Sequence, residues 1–235
     1  MMWRALRAEG MRLKPAARWL PVISSGLFIA FMALEWYLYF KGPAGVYSVF
    51  NVMYMFLGFV MLLNTALFAG MITGLEHESN SWKQLLTLPV SRAVFYWAKA
   101  LWVLILLLCT VLLIIAGLSL LWICYTSEPL PFQFLIKQIV YSFLASTAVL
   151  GLQMWLSIQF PNQAIPMSIG LLGAVSGLFI ARDSGAALWT WLWPWAYPTL
   201  SSPFMAHPGR WIGISAGLGT VLLAAGALHF KNKQF

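Results

Sequence analysis

Residues 93–123 read AVFYWAKALWVLILLLCTVLLIIAGLSLLWI, and Lys99 is the one charged side chain in the whole stretch. A helix needs about 20 mostly apolar residues to cross a bilayer. This stretch exceeds that length. We therefore expect a membrane-spanning helix that tilts or extends beyond the bilayer.

The rest of the chain has the same character. It contains 235 residues, of which 61% are hydrophobic and 9% are charged. A soluble domain of this size could not hide that much apolar surface from water. We predict one all-α integral membrane domain over residues 1–235, with six transmembrane helices. The predicted spans lie near 20–40, 47–75, 93–123, 134–160, 164–181 and 211–230.

Basic residues predict the orientation, because Lys and Arg concentrate in cytoplasmic loops. With the N-terminus inside, the inner side holds Arg4, Arg7, Arg12, Lys14, Arg18, Lys83, Arg92, Lys99, Lys231 and Lys233, and the outer side holds Lys41, Lys137, Arg182 and Arg210. We expect a multi-pass protein with both termini in the cytoplasm. Contacts with anionic lipid headgroups, rather than with nucleic acid, explain the net charge of +8.

Residues 1–19 form a basic amphipathic segment. On a helical wheel, one face is basic and holds Arg4, Arg7, Lys14 and Arg18. The opposite face is apolar and holds Met2, Leu6, Leu13 and Leu20. We predict an N-terminal amphipathic elbow on the inner membrane surface, interrupted by Gly10 and Pro15 into two short pieces. The alternative is a disordered basic tail held by lipid charge.

The outer segment 182–210 differs from the other loops, because its prolines exclude a continuous spanning helix. Tryptophans alternate here with smaller or apolar residues, at Trp189, Trp191, Trp193 and Trp195. Indole rings prefer the membrane–water interface. We therefore expect an interfacial hairpin of one or two short pieces before the last span. Its tryptophans form either an aromatic belt or a docking surface for an amphipathic substrate.

Glu35 is the only acidic residue inside a predicted span. A charge at the centre of a span costs about 2.5–3.5 kcal/mol on insertion scales, and less near the end where Glu35 lies. Three interpretations are open. Glu35 pairs with Lys137 near the outer start of the fourth span, contacts the substrate, or reaches the wet interface.

The segment 76–92, EHESNSWKQLLTLPVSR, is the largest predicted cytoplasmic loop. Ser81-Trp-Lys-Gln84 fits a capping box and predicts a helix start. The apolar face of this helix is formed by Trp82, Leu85 and Leu86. Pro89 ends it, since proline lacks a donor and restricts the preceding residue. The pattern predicts a short helix in the plane of the membrane.

Two acids, Glu76 and Glu78, open this loop. Carboxylates beside a negatively charged inner leaflet are unfavourable unless a protein partner supplies cations. We therefore favour a soluble subunit that docks on the loop. The alternative is an interfacial turn between two spans.

Several motifs are missing from the sequence. It has no Gly-x-x-x-x-Gly-Lys-Ser/Thr loop to hold ATP phosphates and no hydrolase signature, and its histidines are scattered. Paired intramembrane carboxylates are absent too, which disfavours a proton-coupled or sodium-coupled transporter. We predict a non-catalytic chain without a cofactor or metal of its own, which receives its energy from a partner.

The loop carries a family resemblance. Glu76, the run from Ser81 to Arg92 and Lys99 resemble the cytoplasmic loop of type-2 ABC exporter permeases, especially the small six-span permeases of lantibiotic-immunity and bacitracin-resistance transporters. The six-span plan, the basic elbow and the outer segment extend this resemblance across the chain. It implies that the loop is a coupling helix seated in a groove of a cytoplasmic ATPase. The predicted coupling residues are Glu76, Glu78, Ser81, Trp82, Lys83, Leu85, Leu86, Pro89 and Arg92.

The resemblance also implies an assembly and a cargo. Two permease chains, identical or related, pair over two ABC ATPase subunits that bind ATP and Mg. The complex expels an amphipathic antimicrobial peptide or a lipid-like compound from the bacterial cell membrane and so confers resistance. Type-2 permeases also export drugs, lipids and polysaccharides. One rival function is a non-transporting anchor or sensor that docks a soluble partner. The other is a lipid-modifying membrane enzyme, and the lack of clustered polar residues disfavours it.

Three Gly-x-x-x-Gly motifs place small residues on one face of a span, where they allow close helix approach. They are Gly70/Gly74, Gly173/Gly177 and Gly213/Gly217. Packing within one chain is the commoner use of such motifs, and packing between two permease chains is the alternative.

Overall fold

The computed structural model describes residues 2–39, 45–78, 91–181 and 188–232, which contain helices and no strand. The helices are α1 (Met2–Arg12), α2 (Pro15–Tyr39), α3 (Gly45–Glu78), α4 (Arg92–Tyr125), α5 (Phe132–Ala145), α6 (Thr147–Gln159), α7 (Ala164–Ile180), α8 (Leu188–Leu192), α9 (Tyr197–Leu200) and α10 (Pro208–Asn232), with a 3₁₀ turn at Pro194–Ala196. The all-α prediction is confirmed for these residues.

Five helical segments are long and apolar enough to cross a membrane. They are Pro15–Leu38, Met55–His77, Arg92–Tyr125, Phe132–Gln159 and Pro208–Asn232. They correspond to five of the six predicted spans. The remaining one coincides with α7, which is apolar but only 17 residues long, at the lower limit for a span.

The N-terminal segment bends where the sequence predicts a break. Helix α1 ends at Arg12, and Pro15 opens α2, a first-turn position that suits proline. The prediction of two short pieces is wrong in one respect, because residues 15–19 belong to the first long helix and Gly10 lies inside α1. The basic side chains Arg4, Arg7, Lys14 and Arg18 are all exposed.

The fourth predicted span is not one helix. It divides into α5 and α6, with Ser146 between them. Ser215 of α10 fills the gap, since its hydroxyl donates to the carbonyl of Ala145 (2.6 Å) and accepts from the amide of Ala148 (3.1 Å). Inside a bilayer such backbone groups must find protein partners. The break is therefore stabilised by the neighbouring helix.

The three glycine motifs have different surroundings. A side chain at Gly70 or Gly74 would meet Met167 or Gln163, and one at Gly173 or Gly177 would meet Trp195. Both motifs therefore pack within the chain, as expected for the commoner use. Gly213 and Gly217 have no such neighbour within 4 Å, so this face of α10 is open in the described chain.

The N-terminal helix and the last turn of α10 lie at the same end of the bundle. The guanidinium of Arg92, which opens α4, donates to the carbonyl of Lys231 near the end of α10 (3.3 Å). One turn further along α4, the rings of Tyr96 and Phe230 are 6.2 Å apart. Helix α1 packs on the same part of α4. The last turn of α3 and the start of α4 therefore lie at the same end of the bundle as α1 and the end of α10.

Candidate functional site

Four ionised side chains meet where α1, α3 and α4 come together. Lys99 Nζ lies 2.9 Å from Glu9 Oε2 and 2.8 Å from Glu76 Oε1, and Arg12 approaches the same Glu76 oxygen at 3.3 Å. We call these residues, Glu9, Arg12, Glu76 and Lys99, the Glu76 cluster. It ties the N-terminal helix to the two helices that flank segment 79–90.

The cluster is almost completely removed from solvent. Lys99, Glu76 and Glu9 are exposed by 1%, 0% and 3%, and only Arg12 reaches the surface, with 39% exposed. The Lys99 ammonium donates hydrogen bonds to Glu9 Oε2 and to the carbonyl of Ile72 (3.4 Å), and its contact with Glu76 is an ion pair. Two positive and two negative charges balance. Such burial is tolerated only when the charges are paired.

The sequence explains why these helices converge. Gly10 leaves room on α1 for the Trp102 ring of α4, whose Nε1 donates to the carbonyl of Leu6 (2.7 Å). With α1 fixed on α4, Glu9 and Arg12 project toward Lys99. Glu76 lies in the last turn of α3 and contacts Lys99 from there. The cluster therefore depends on three segments that are far apart in sequence.

The structure locates only part of the predicted coupling set. Glu76 lies in the cluster and Arg92 opens α4. Glu78 ends α3, and its side chain lies outside the described part of the structure. The other predicted members lie outside the described residues: Ser81, Trp82, Lys83, Leu85, Leu86 and Pro89. Coupling to an ATPase stays a prediction for the whole set.

The partners of Glu76 differ from the sequence-based expectation. The two acids of the loop were expected to need cations from a separate protein. For Glu76 those cations are Lys99 and Arg12 of the same chain. The Glu76 carboxylate thus holds the ends of α3 and α4 together, and a docking partner would contact neighbouring residues instead.

The tryptophans predicted to lie on the outer side separate into two groups. Trp189 is 63% exposed and Trp191 is also exposed. Trp195 is buried against α7, and Trp193 Nε1 donates to Ser176 of α7 (3.1 Å). Because Trp195 is buried against α7, part of this segment lies inside the protein. The predicted hairpin is therefore not wholly interfacial.

Tyr197 stabilises the segment that contains these tryptophans. Its hydroxyl donates to the carbonyl of Trp191, and its ring stacks on Trp211 at 5.5 Å. Burial raises the pKa of the Tyr197 phenol, because desolvation disfavours the charged form. Arg210 lies 4.6 Å from the centre of the Trp191 ring, a cation–π distance.

Glu35 and Lys137 do not form the predicted ion pair. Both residues are described by the structure, and no ion pair joins them. Glu35 is half-buried on α2, and Lys137 is exposed on α5. The two other interpretations of Glu35, a substrate contact or simple access to the interface, stay open.

A groove between α2 and α3 contains a further polar group that sequence reasoning missed. The groove has a volume of about 360 Å³ and is lined by apolar side chains, including Phe28, Phe31, Phe56 and Phe59. Asn64 also lines it and is 1% exposed, yet its amide nitrogen has no hydrogen-bond partner in the described structure. An unpaired buried amide costs free energy, so this group is suited to a ligand that accepts a hydrogen bond.

Sequence signals for the missed residues did exist. Lys99 interrupts the most apolar stretch of the chain, and Glu9 is the only acid among the first 34 residues. A buried lysine needs a partner. Pairing the isolated cation with the isolated acid would have found this contact, although nothing in the sequence shows that the two are neighbours.

Helices of membrane length, with ionised groups buried and paired between them, define a multi-pass integral membrane protein. Residues 5–177 match the family described as "ABC-2 family transporter protein". The match covers most of the chain and includes the whole Glu76 cluster. The chain therefore belongs to the ABC-2 family and is a membrane transport component. Members of this family typically work with an ATPase partner. No curated protein matched the chain.

Proposed function

We propose that the chain is the permease subunit of a type-2 ABC exporter, with six spans formed by α2, α3, α4, α5–α6, α7 and α10. The Glu76 cluster is the observation that carries this proposal. It joins both helices that flank segment 79–90 to each other and to α1. A force applied to that segment would therefore move three helices together.

In this proposal segment 79–90 holds the coupling helix, and Trp82, Leu85 and Leu86 seat it in an ATPase groove. ATP and Mg bind in two ATPase subunits beneath a pair of permease chains, identical or related. Closure of the ATPases pushes on the coupling helix. The paired charges of Glu76 and Lys99 transmit this push because a buried ion pair resists separation.

We place both termini and segment 79–90 in the cytoplasm of a bacterial cell. The described residues that support this are α1, Glu76, Arg92 and Lys231, which lie at one end of the bundle. The basic residues predicted to lie on the inner side agree with the positive-inside rule. Segment 182–210 then faces outward with its exposed tryptophans.

We propose an amphipathic cargo, either an antimicrobial peptide of the lantibiotic or bacitracin type or a lipid-like compound. The groove between α2 and α3 supports this choice. Its walls are apolar and aromatic, and among its described lining residues the unpaired donor is the amide nitrogen of Asn64. Ligand sites in proteins combine apolar walls with a few placed polar groups in the same way. A peptide carbonyl flanked by apolar side chains fits this description.

Co-purification tests the exporter assignment. We expect an ABC ATPase encoded beside this gene to elute with the wild-type chain in mild detergent, and to be lost from the Trp82→Ala, Leu86→Asp double variant. These substitutions remove the apolar anchor of the coupling helix and place a charge in the groove that receives it. The measurement is the ATPase-to-permease ratio after affinity purification and size exclusion.

The matched control is Trp189→Ala, Leu192→Asp. It makes the same two changes at exposed positions of α8 and should retain the ATPase. If no ATPase accompanies the wild type, or if both double variants lose it equally, the exporter proposal fails. The anchor or sensor function would then be favoured.

Asn64→Leu tests the cargo. In proteoliposomes with the partner ATPase, cationic amphipathic peptides should stimulate ATP hydrolysis. The variant should raise the half-maximal peptide concentration about three- to tenfold, the effect of one hydrogen bond. Because the Asn64 amide nitrogen has no hydrogen-bond partner among the described residues, its replacement should leave the melting temperature unchanged or higher. Gln133→Leu, an exposed amide on α5, is the control.

Two results would contradict the cargo proposal. One is equal stimulation of the wild type and Asn64→Leu by every peptide tested, including a lantibiotic and bacitracin. The other is a lower melting temperature of Asn64→Leu, which would assign the amide a structural role. The exporter class could survive either result.

A further inference from the structure

A second groove lies between α1 and α4, on the outside of the Glu76 cluster. Its volume is about 630 Å³, and its walls include Trp3, Leu6, Trp102 and Ile105, with Arg7 and Arg18 beside them. Among the described residues that line it, none is acidic. The groove thus combines an apolar floor with a purely cationic edge.

The walls of this groove are fixed by contacts within the chain. Trp102 packs on Gly10 and donates to the Leu6 carbonyl. Arg18 spans the turn between α1 and α2, where one terminal nitrogen donates to the carbonyls of Gly10 (3.2 Å) and Met11 (3.4 Å). Both tryptophan and arginine are therefore held in place before any ligand arrives.

The arginines retain donors for a ligand. Arg7 is exposed and makes no hydrogen bond or ion pair within the described part of the chain. Arg18 uses one nitrogen of its fork for the α1 carbonyls and keeps the others. Guanidinium groups match phosphate oxygens in geometry and charge. The cationic edge is therefore complementary to a phosphate.

We propose that this groove binds one anionic phospholipid, with its phosphate on Arg7 and Arg18 and an acyl chain along Trp3, Trp102 and Ile105. An amphipathic helix such as α1 lies at the boundary between headgroups and acyl chains, the depth at which a phospholipid presents both parts. The volume is in the range of known ligand sites. Free phosphate would leave the apolar walls uncovered.

The position of the lipid has a structural consequence. Helix α1 carries the lipid-binding Arg7 near Glu9 and Arg12 of the Glu76 cluster. A lipid that contacts α1 and α4 together holds α1 against Lys99 and stabilises the cluster. This inference does not depend on transport, because it concerns only the purified chain and its lipid.

Native mass spectrometry of the delipidated full-length chain tests the site. We expect one phosphatidylglycerol to bind more tightly than phosphatidylcholine with the same acyl chains, and to raise the melting temperature. Arg7→Gln should weaken phosphatidylglycerol binding about fivefold or more, the effect of one arginine near an anionic lipid. Ile105→Trp should obstruct the proposed path of the acyl chain and weaken binding as well. Millimolar sodium phosphate should not compete.

The controls separate a defined site from general attraction to basic residues. Arg4→Gln removes the same charge from α1 at an exposed position outside the groove, and Leu112→Trp adds the same ring to α4 two turns away. Both should bind lipid like the wild type. Equal losses in the Arg4 and Arg7 variants, unchanged binding by Ile105→Trp, or displacement by phosphate alone would overturn the proposal.

Discussion

Lys99→Met is expected to destabilise the protein by about 3–5 kcal/mol, the usual cost of removing one partner from a buried ion pair. Methionine nearly preserves the volume of the side chain but leaves the carboxylates of Glu9 and Glu76 without their shared cation. Arg12 still reaches Glu76. Glu9, whose ion pair in the described structure is with Lys99, loses its partner altogether.

The measurement is thermal unfolding of the purified chain in detergent, together with the monodisperse fraction on size exclusion. Lys137→Met makes the same substitution at an exposed site and should leave both unchanged, because an exposed charge contributes little. The triple variant Lys99→Met, Glu9→Gln, Glu76→Gln should recover much of the loss, because no uncompensated charge remains buried.

Two outcomes would contradict a structural role for the cluster. Lys99→Met would unfold at the wild-type temperature if water, rather than Lys99, satisfied the two carboxylates. The triple variant would be no better than the single one if the loss came from packing of the lysine stem. The contrast between single and triple variants therefore distinguishes charge from volume.

The fold could be predicted from sequence to the extent that it depends on local composition. Apolar stretches of membrane length located the five long helices, and Pro15 marked the bend after α1. The break at Ser146 could not be found in this way. Its stretch has neither proline nor glycine at that point, and the hydroxyl that stabilises the break comes from Ser215, 69 residues later (215 − 146).

The residues of the Glu76 cluster could be recognised from the sequence only in part, because their contacts depend on how distant helices pack. Glu76 stood out because an acid beside a membrane is unusual. Its actual partner Lys99 was visible as an isolated cation, but their contact depends on how α3 and α4 pack. Glu9 contacts Lys99 across 90 positions in sequence. Without that packing, the sequence could only suggest that Glu76 receives its cation from another protein.

Gly219→Val is expected to separate α6 from α10 and to destabilise the protein by about 3 kcal/mol, near the upper end for overpacking. A side chain at Gly219 would meet the Thr147 carbonyl oxygen at 2.6 Å and the Ala148 nitrogen at 3.0 Å. These are backbone atoms, which cannot rotate away. The helices must move apart, and the Ser215 hydrogen bonds that stabilise the break at Ser146 would lengthen with them.

Gly217→Val is the matched control on the same helix, because a side chain at Gly217 meets nothing within 4 Å. It should unfold at the wild-type temperature, whereas Gly219→Val should unfold earlier and expose α6 amides to hydrogen exchange. Equal stability of the two variants would show that α6 and α10 do not depend on this close approach. Equal destabilisation would show that the Gly213/Gly217 face is covered in solution, which would assign that motif to packing between two permease chains.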